Sequence, residues 1–332
     1  MAEREYPVEM ANLICKFGKK NLLDYFEEIV EPAFSDASLV RKFAETSYFF
    51  DSVKVISVSG RALLVGRIIK DTILEREQIY SRVSGLTEDH DKMQSSPSSV
   101  FVLVLDIHRL IYLKETKFAP GLDAFRATLE NFLKVKYKAF IDDLYDDGKG
   151  KTEEGKKITK KYLMAENIPP SLELVPLTSA QDIDSFVRQY EVLSSVVYKF
   201  SDRNDEHDNE SFFEAVQRQK DEVGSKRTEV RHTNSEGLDK ESVIEEVQAA
   251  TAQGNQTVVL SGKDSSGTIL RGDNNNFQLK AIVELISTQP SSAAPKMFAK
   301  FLQLVGDGLI TVTAPPKRAL EKLNRYLGGQ NE

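Results

Sequence analysis

Along this chain, short stretches of alternating apolar and polar residues are interleaved with stretches at helical spacing, so the pattern predicts strands mixed with helices. Val8, Met10, Asn12 and Ile14 alternate in part and predict an N-terminal strand. A short helix is expected from about Asn21 to Val30, with Pro32 helping to end it. Asp36 can cap a second helix that carries Leu39, Val40 and Phe43 on one face. Tyr48–Val58 and Arg61–Lys70, joined by Ser59-Gly60, read as a hairpin, because glycine supplies the positive φ of a primed turn. Glu88–Ser99 is polar and reads as a loop.

The most informative run is Ser98 to Leu177. Phe101–Leu105 and Leu110–Leu113 flank Asp106–Arg109 as a buried hairpin. Pro120-Gly121 then opens a helix with Leu122, Phe125, Leu129, Phe132 and Leu133 on one face. Arg126, Glu130, Lys134 and Lys138 on the other face form a solvated stripe. A lysine-rich loop, Gly148–Tyr162, precedes a strand ending in Val175-Pro176-Leu177. Ser179 and Asp182 then set a capping box for a helix over Ala180–Phe200, and Ser211 and Glu214 set another for a helix to Val223. Gly224–Gly237 is polar and without periodicity, which predicts a mobile linker.

Beyond it come a helix near Asp239–Gln253, two strands around a Lys263–Gly267 turn, and an alternating strand with Phe277, Leu279, Ala281, Val283 and Leu285. A helix over Pro295–Val305, a strand over Leu309–Thr313 and a helix from Pro315-Pro316 close the chain. The expected fold class is α+β, with antiparallel or mixed sheets built from hairpins and packed helices in two subdomains. Residues 1–223 would form the first, 224–237 the linker and 238–332 the second.

With 40% apolar and 29% charged residues, the 332-residue chain has the composition of a soluble globular protein. No apolar run approaches the roughly 20 residues of a membrane span, and MAEREYPVEM lacks a signal-peptide core. One cysteine, Cys15, excludes an internal disulfide and fits a cytoplasmic location. The net charge of −7 argues against a histone-type polyanion binder, whose whole surface is basic. Charge is uneven, however: six lysines and two glutamates lie between Lys149 and Lys161.

Most catalytic patterns fail. His90, His108, His207 and His232 are too scattered to ligate zinc. Asp202, Asn204, Glu206 and Asp208 alternate like an EF-hand loop, but His207 and Phe213 stand where Gly and a bidentate Glu are needed. Ser261-Gly262-Lys263-Asp264 lacks the first Gly and the Ser/Thr of a phosphate-binding loop. No cofactor is expected. One enzymatic alternative survives: Asp106 and Glu115, ending successive strands, could hold a divalent ion, and Lys117 could stabilise a phosphorane in a metal-dependent nuclease. Otherwise the chain reads as non-enzymatic.

Three basic clusters suit contacts to a phosphate backbone: Lys149, Lys151, Lys156, Lys157, Lys160 and Lys161 in the loop; Lys226, Arg227 and Arg231; and Lys317, Arg318, Lys322 and Arg325 near the C-terminus. Such loops can also be merely solvated, leaving a protein-interaction subunit of a defence complex as another alternative.

The hairpin Val100–Leu113, the helix Leu122–Lys138 after Phe118-Ala119-Pro120, and the strand Leu172–Leu177 resemble a segment shared by the RexA/RdgC family of phage-exclusion and recombination-associated DNA-binding proteins. The resemblance covers about eighty residues and is interrupted by the lysine-rich insertion. It implies a homodimer that binds double-stranded DNA with little sequence preference, acting in anti-phage defence or a mobile element, with a possible partner protein encoded nearby. It carries no catalytic residue.

Overall fold

In the computed structural model, which describes residues 3–149, 152–153, 156–204 and 211–329, the N-terminal strand β1 (Arg4–Phe17) is longer than its alternation suggests and organises the fold. It turns at Gly18 into β2 (Lys20–Asn21). A 3-10 turn over Leu22–Asp24, a π-helical turn over Phe26–Val30 and α1 (Glu31–Ser35) follow. Pro32 sits in the first turn of α1, where its missing N–H is harmless, so it starts a helix rather than ending one.

The helix expected after Asp36 is not formed. Residues 41–43 are instead an edge strand, β3 (Arg41–Phe43), which pairs with β4 (Thr46–Val58), and Phe43 is exposed. β4 and β5 (Arg61–Glu75) form the expected hairpin. The expected loop before Ser99 is largely strand: β6 (Gln78–Ser81) and β7 (Gly85–Glu88) pair as a hairpin, and β8 (Lys92–Ser95) pairs with the end of β5.

β9 (Ser98–Val104) and β10 (Arg109–Lys114) are the buried hairpin, and α2 (Leu122–Gly148) the helix after Pro120-Gly121. β11 (Thr152–Glu153) and β12 (Lys156–Lys157) make a two-residue ladder, and α3 (Lys160–Glu166) leads into β13 (Ser171–Pro176). The helix begun at Ser179 is only α4 (Ala180–Val187). From Tyr190 the chain is β14 (Tyr190–Phe200), not helix. Register shifts after Tyr190 and Leu193 break its alternation, so its apolar residues mimic helical spacing.

α5 (Ser211–Glu222) follows, and then β15 (Thr228–Thr233), which occupies the middle of the expected linker and pairs with β14. Its side chains are mostly exposed, as on a sheet edge, which explains the polar sequence. α6 (Lys240–Thr251), β16 (Thr257–Asp264), β17 (Ile269–Asp273), β18 (Lys280–Leu285), α7 (Pro290–Gly306) and α8 (Lys317–Gly329) complete the chain. Leu309–Thr313, expected as a strand, pairs with nothing in a described sheet.

Among the described residues, helices make up 35% and antiparallel sheets 37%, an α+β fold. The large sheet has the order β13-β1-β10-β9-β5-β4-β3, with β2, β8 and β18 attached. Val8 and Glu9 pair with both β10 and β18, so β18 and β13 lie end to end along the far side of β1. Both faces are covered. Phe101 and Leu103 pack with α1 and α2, whereas Val100, Val102 and Val104 pack with Met297, Phe298 and Phe301 of α7. This is why β9 and β10 read as continuous apolar runs.

The second sheet, β15-β14-β16-β17, packs with α4 and α6 around Phe186, Tyr198, Val247 and Leu260. Residues 224–237 therefore do not separate two sheets: β14–β16 and β1–β18 pairings both join residues on either side. A buried polar network ties the sheets together. Asn12 on β1 accepts hydrogen bonds from Arg109 and Asn204 and donates to the Gly254 carbonyl.

Candidate nucleic-acid interface

The edge strands β13 and β15 lie on opposite walls of a groove that follows Ser201–Asn204, the segment leaving β14. Its largest part, about 700 Å³, is bounded by the Gly18 turn, Ile168-Pro169 and α5. A second part, about 350 Å³, lies between β13 and the β14–β15 pair. A third, about 120 Å³, lies under α8 and shares Asn204 with the first.

The cations along this path fall into two groups. Those deepest in the walls are held by partners. The Lys220 side chain is 2% exposed, with Nζ 3.2 Å from Asp221 Oδ1 and 3.7 Å from Asp202 Oδ1. Arg203 grips Glu214 with bonds of 2.7 and 3.1 Å, and Lys16 donates to Asn21. These pairs shape the groove and leave little net charge.

The second group is exposed: Lys19 at the first part of the groove, Lys226 at its rim, and Lys199 and Arg227 in the second part. Among the described residues none of these four makes an ion pair. They are the cations available to a ligand, next to the Glu229 carboxylate, which is also exposed in the second part.

The structure brings two of the three predicted clusters to the groove. Lys226 and Arg227 line it directly, and Arg231 lies further along the exposed edge strand β15. Arg318 and Lys322 line the part under α8, but both bond to Asp24, at 3.1 and 2.5 Å. Lys317 is exposed at the start of α8.

The lysine-rich loop does not line the groove where it is described. Lys149 is exposed at the end of α2. Lys160 pairs with Asp142 and lies 5.4 Å from the Tyr145 ring centre, next to exposed Lys161. Lys156 and Lys157 form β12, and Lys151 lies outside the described residues. Lys16, Lys19, Lys199, Arg203 and Lys220 are groove residues that sequence reasoning missed. The run Lys16-Phe17-Gly18-Lys19-Lys20 was a usable signal; the others stand singly.

The nuclease candidates do not assemble. Asp106 lies in the turn between β9 and β10, and Glu115 follows the far end of β10, so the length of a six-residue strand, about 20 Å, separates them. Each has its own arginine: Asp106 meets Arg61 at 3.2 Å, and Glu115 meets Arg67 at 2.7 Å. The Lys117 ammonium lies over the Phe118 ring. Among the described residues no group of three or more His, Cys, Asp and Glu is placed to hold a metal ion. Cys15 is buried, and burial pushes its thiol up to about 12, so it is not a nucleophile.

The two carboxylates should respond oppositely to substitution. Burial raises the Glu115 carboxyl, but hydrogen bonds from Arg67 and Ser98 outweigh it and hold the group below the usual range. Its stabilisation is therefore present above the unfolded carboxylate pKa and is lost as pH falls through the lower folded value. Glu115→Gln should cost about 1–3 kcal/mol at pH 7, with the difference shrinking below about pH 4. Burial raises Asp106 beyond what Arg61 lowers it, so the folded state favours its neutral form and loses stability as pH rises through that range. Asp106→Asn should then be neutral or mildly stabilising at pH 7. Urea denaturation of both variants at pH 4 and pH 7 checks both signs.

No protein-family model matches this sequence, and no curated protein matches it. The functional reading therefore rests on the groove and on the resemblance noted from the sequence.

Proposed function

We propose that this protein binds duplex DNA along the groove through phosphate contacts, with little sequence preference. The observation that carries this reading is the set of four exposed cations, Lys19, Lys199, Lys226 and Arg227, which make no ion pair among the described residues and lie along one groove of an acidic chain. Lysine and arginine in this setting meet phosphates without reading bases. Among the described residues the groove has no stacking platform: Phe200, the aromatic residue along its two larger parts, is 1% exposed. Single-strand binders typically stack bases on exposed aromatic rings, so a duplex backbone is the better ligand. The resemblance to the RexA/RdgC family adds a dimeric assembly, a cytoplasmic setting and a role in phage defence to the same reading.

The test is a DNA titration at two salt concentrations. Replacing Lys19, Lys199, Lys226 and Arg227 by alanine should weaken duplex binding and flatten the log K against log salt slope by up to about 0.9 per lost contact. The variant Lys156→Ala/Lys157→Ala/Lys160→Ala/Lys161→Ala should bind nearly as the parent does. Undiminished binding by the groove variant, or loss only in the loop variant, would move the interface to residues 148–162. No salt-dependent binding by the parent would end the DNA reading.

A further inference from the structure

Beyond Asp71, β5 leaves the large sheet and pairs with β8 alone, and the ribbon continues into β6 and β7, so residues 72–95 form a two-stranded arm. Hydrogen bonds from Arg76 N–H to the Asp91 carbonyl and from Asp89 N–H to the Glu77 carbonyl join its proximal and distal halves. The two halves differ sharply in charge. Residues 75–77 and 88–92 hold five acids against Arg76 and Lys92, whereas Arg82 is the only charged residue from 78 to 87. That distal hairpin exposes Ile79, Tyr80, Val83 and Leu86, at between 42% and 100%. Successive strand residues point to opposite faces, so Ile79 lies on one face and Tyr80, with its cross-strand partner Leu86, on the other. Val83 stands in the turn between the strands. The end of the arm is therefore apolar on both faces and at its tip.

We infer that this tip inserts into the interfacial layer of a lipid bilayer. A folded partner docked along the arm covers one face and leaves the other apolar face in water, whereas a fluid apolar layer surrounds a hairpin tip from every side. The length fits as well. Each strand of the distal hairpin has four residues, about 13 Å, and interfacial segments bury their apolar parts about 5–10 Å deep. Val83 and Leu86 can thus reach the boundary of headgroups and acyl chains while Glu77 and Glu88 stay in water. Tyr80 would settle beside the headgroups, as aromatic rings with a polar tip do, and Arg82 can extend its guanidinium back to lipid phosphates.

Two further features bound the depth and the lipid class. Among the described residues β6 and β7 pair only with each other, so their outer edges carry backbone N–H and C=O groups that headgroups and water can satisfy and hydrocarbon cannot. Insertion therefore stops at the interface. The acidic excess of the proximal half is repelled by an anionic surface, which makes a zwitterionic bilayer the better partner. The inference rests on the arm alone and is independent of whether the groove binds DNA.

The chain contains no tryptophan, so Val83→Trp places a single fluorescent probe at the tip. Phosphatidylcholine vesicles should shift its emission to the blue, and bromine-labelled acyl chains should quench it. In a flotation assay the full-length parent should be about half bound near 1 mM lipid, since a few interfacial side chains give weak, reversible binding. Val83→Ser/Leu86→Ser should bind about tenfold more weakly or worse, with an unchanged melting temperature because both side chains are exposed in the free protein. Unshifted emission, or vesicle binding that survives Val83→Ser/Leu86→Ser, overturns the proposal. Binding confined to phosphatidylglycerol vesicles and abolished by salt also overturns it, because that contact would belong to the groove cations. Duplex titration of the same double variant reports on the groove separately.

Discussion

Replacing Asn12 with leucine should lower the stability of this protein by about 3–5 kcal/mol, because the change strands several buried polar groups at once. The Asn12 side chain is fully buried on β1. Its Oδ1 accepts from Arg109 Nη1 at 2.6 Å and from Asn204 Nδ2 at 2.9 Å, and its Nδ2 donates to the Gly254 carbonyl at 3.1 Å. Leucine fills much of the same space but leaves a buried guanidinium and a buried carbonyl without those bonds. Urea denaturation should show a lower midpoint and an unchanged slope. In a double-mutant cycle with Arg109→Met, the two losses should be clearly less than additive, because both remove the same network. Additive losses would mean that Asn12 acts through packing alone.

Gly262→Val should be nearly as damaging, at about 3 kcal/mol or more. Gly262 lies on β16 opposite Leu193, where β14 bulges, and a Cβ there would stand 2.2 Å from the Val192 carbonyl oxygen and 2.9 Å from the Leu193 Cα. The obstacles are backbone atoms of the paired strand, so no side-chain rotation relieves them. The chain must either break the β14–β16 ladder or move the bulge. Thermal denaturation followed by far-UV circular dichroism should show a large loss, with Gly262→Ala already measurably unstable. A melting temperature equal to the parent's would show that β14 can shift freely there.

Elements with one dominant period were legible in the sequence. The β4–β5 hairpin, the buried β9–β10 hairpin, α2 and the alternating β18 all stand where their apolar spacing put them. The misreadings share physical causes. β14 looked helical because its bulges offset Tyr190, Leu193, Val196 and Val197 from strict alternation. β3 is an edge strand whose exposed Phe43, with Leu39 and Val40 before it, mimics a helix face, whereas the exposed side chains of the edge strand β15 carry no apolar stripe and read as a linker.

The groove was legible only in part for a different reason. Lys226 and Arg227 belong to a visible cluster, but Lys19 in the β1–β2 turn and Lys199 on β14 are far apart in sequence and reach the same groove only through the packing of two sheets. The lysine-rich insertion, the loudest basic signal in the chain, does not line the groove in its described part. Asp106 and Glu115 lie close in sequence, yet a straight hairpin holds them at opposite ends.

The pairing of β1 also sets the order in which the chain can become a protein. Its first residues need β18, which ends at Leu285, so the opening strand of the sheet cannot complete its ladder until most of the chain has been made. At roughly 5–20 residues per second of synthesis, β1 spends tens of seconds with one half of an edge unfilled. Non-local pairings of this kind slow folding, because a long loop must close before its contacts are gained. Fragments that stop before residue 280 should therefore accumulate with an unpaired strand edge along the first residues of β1.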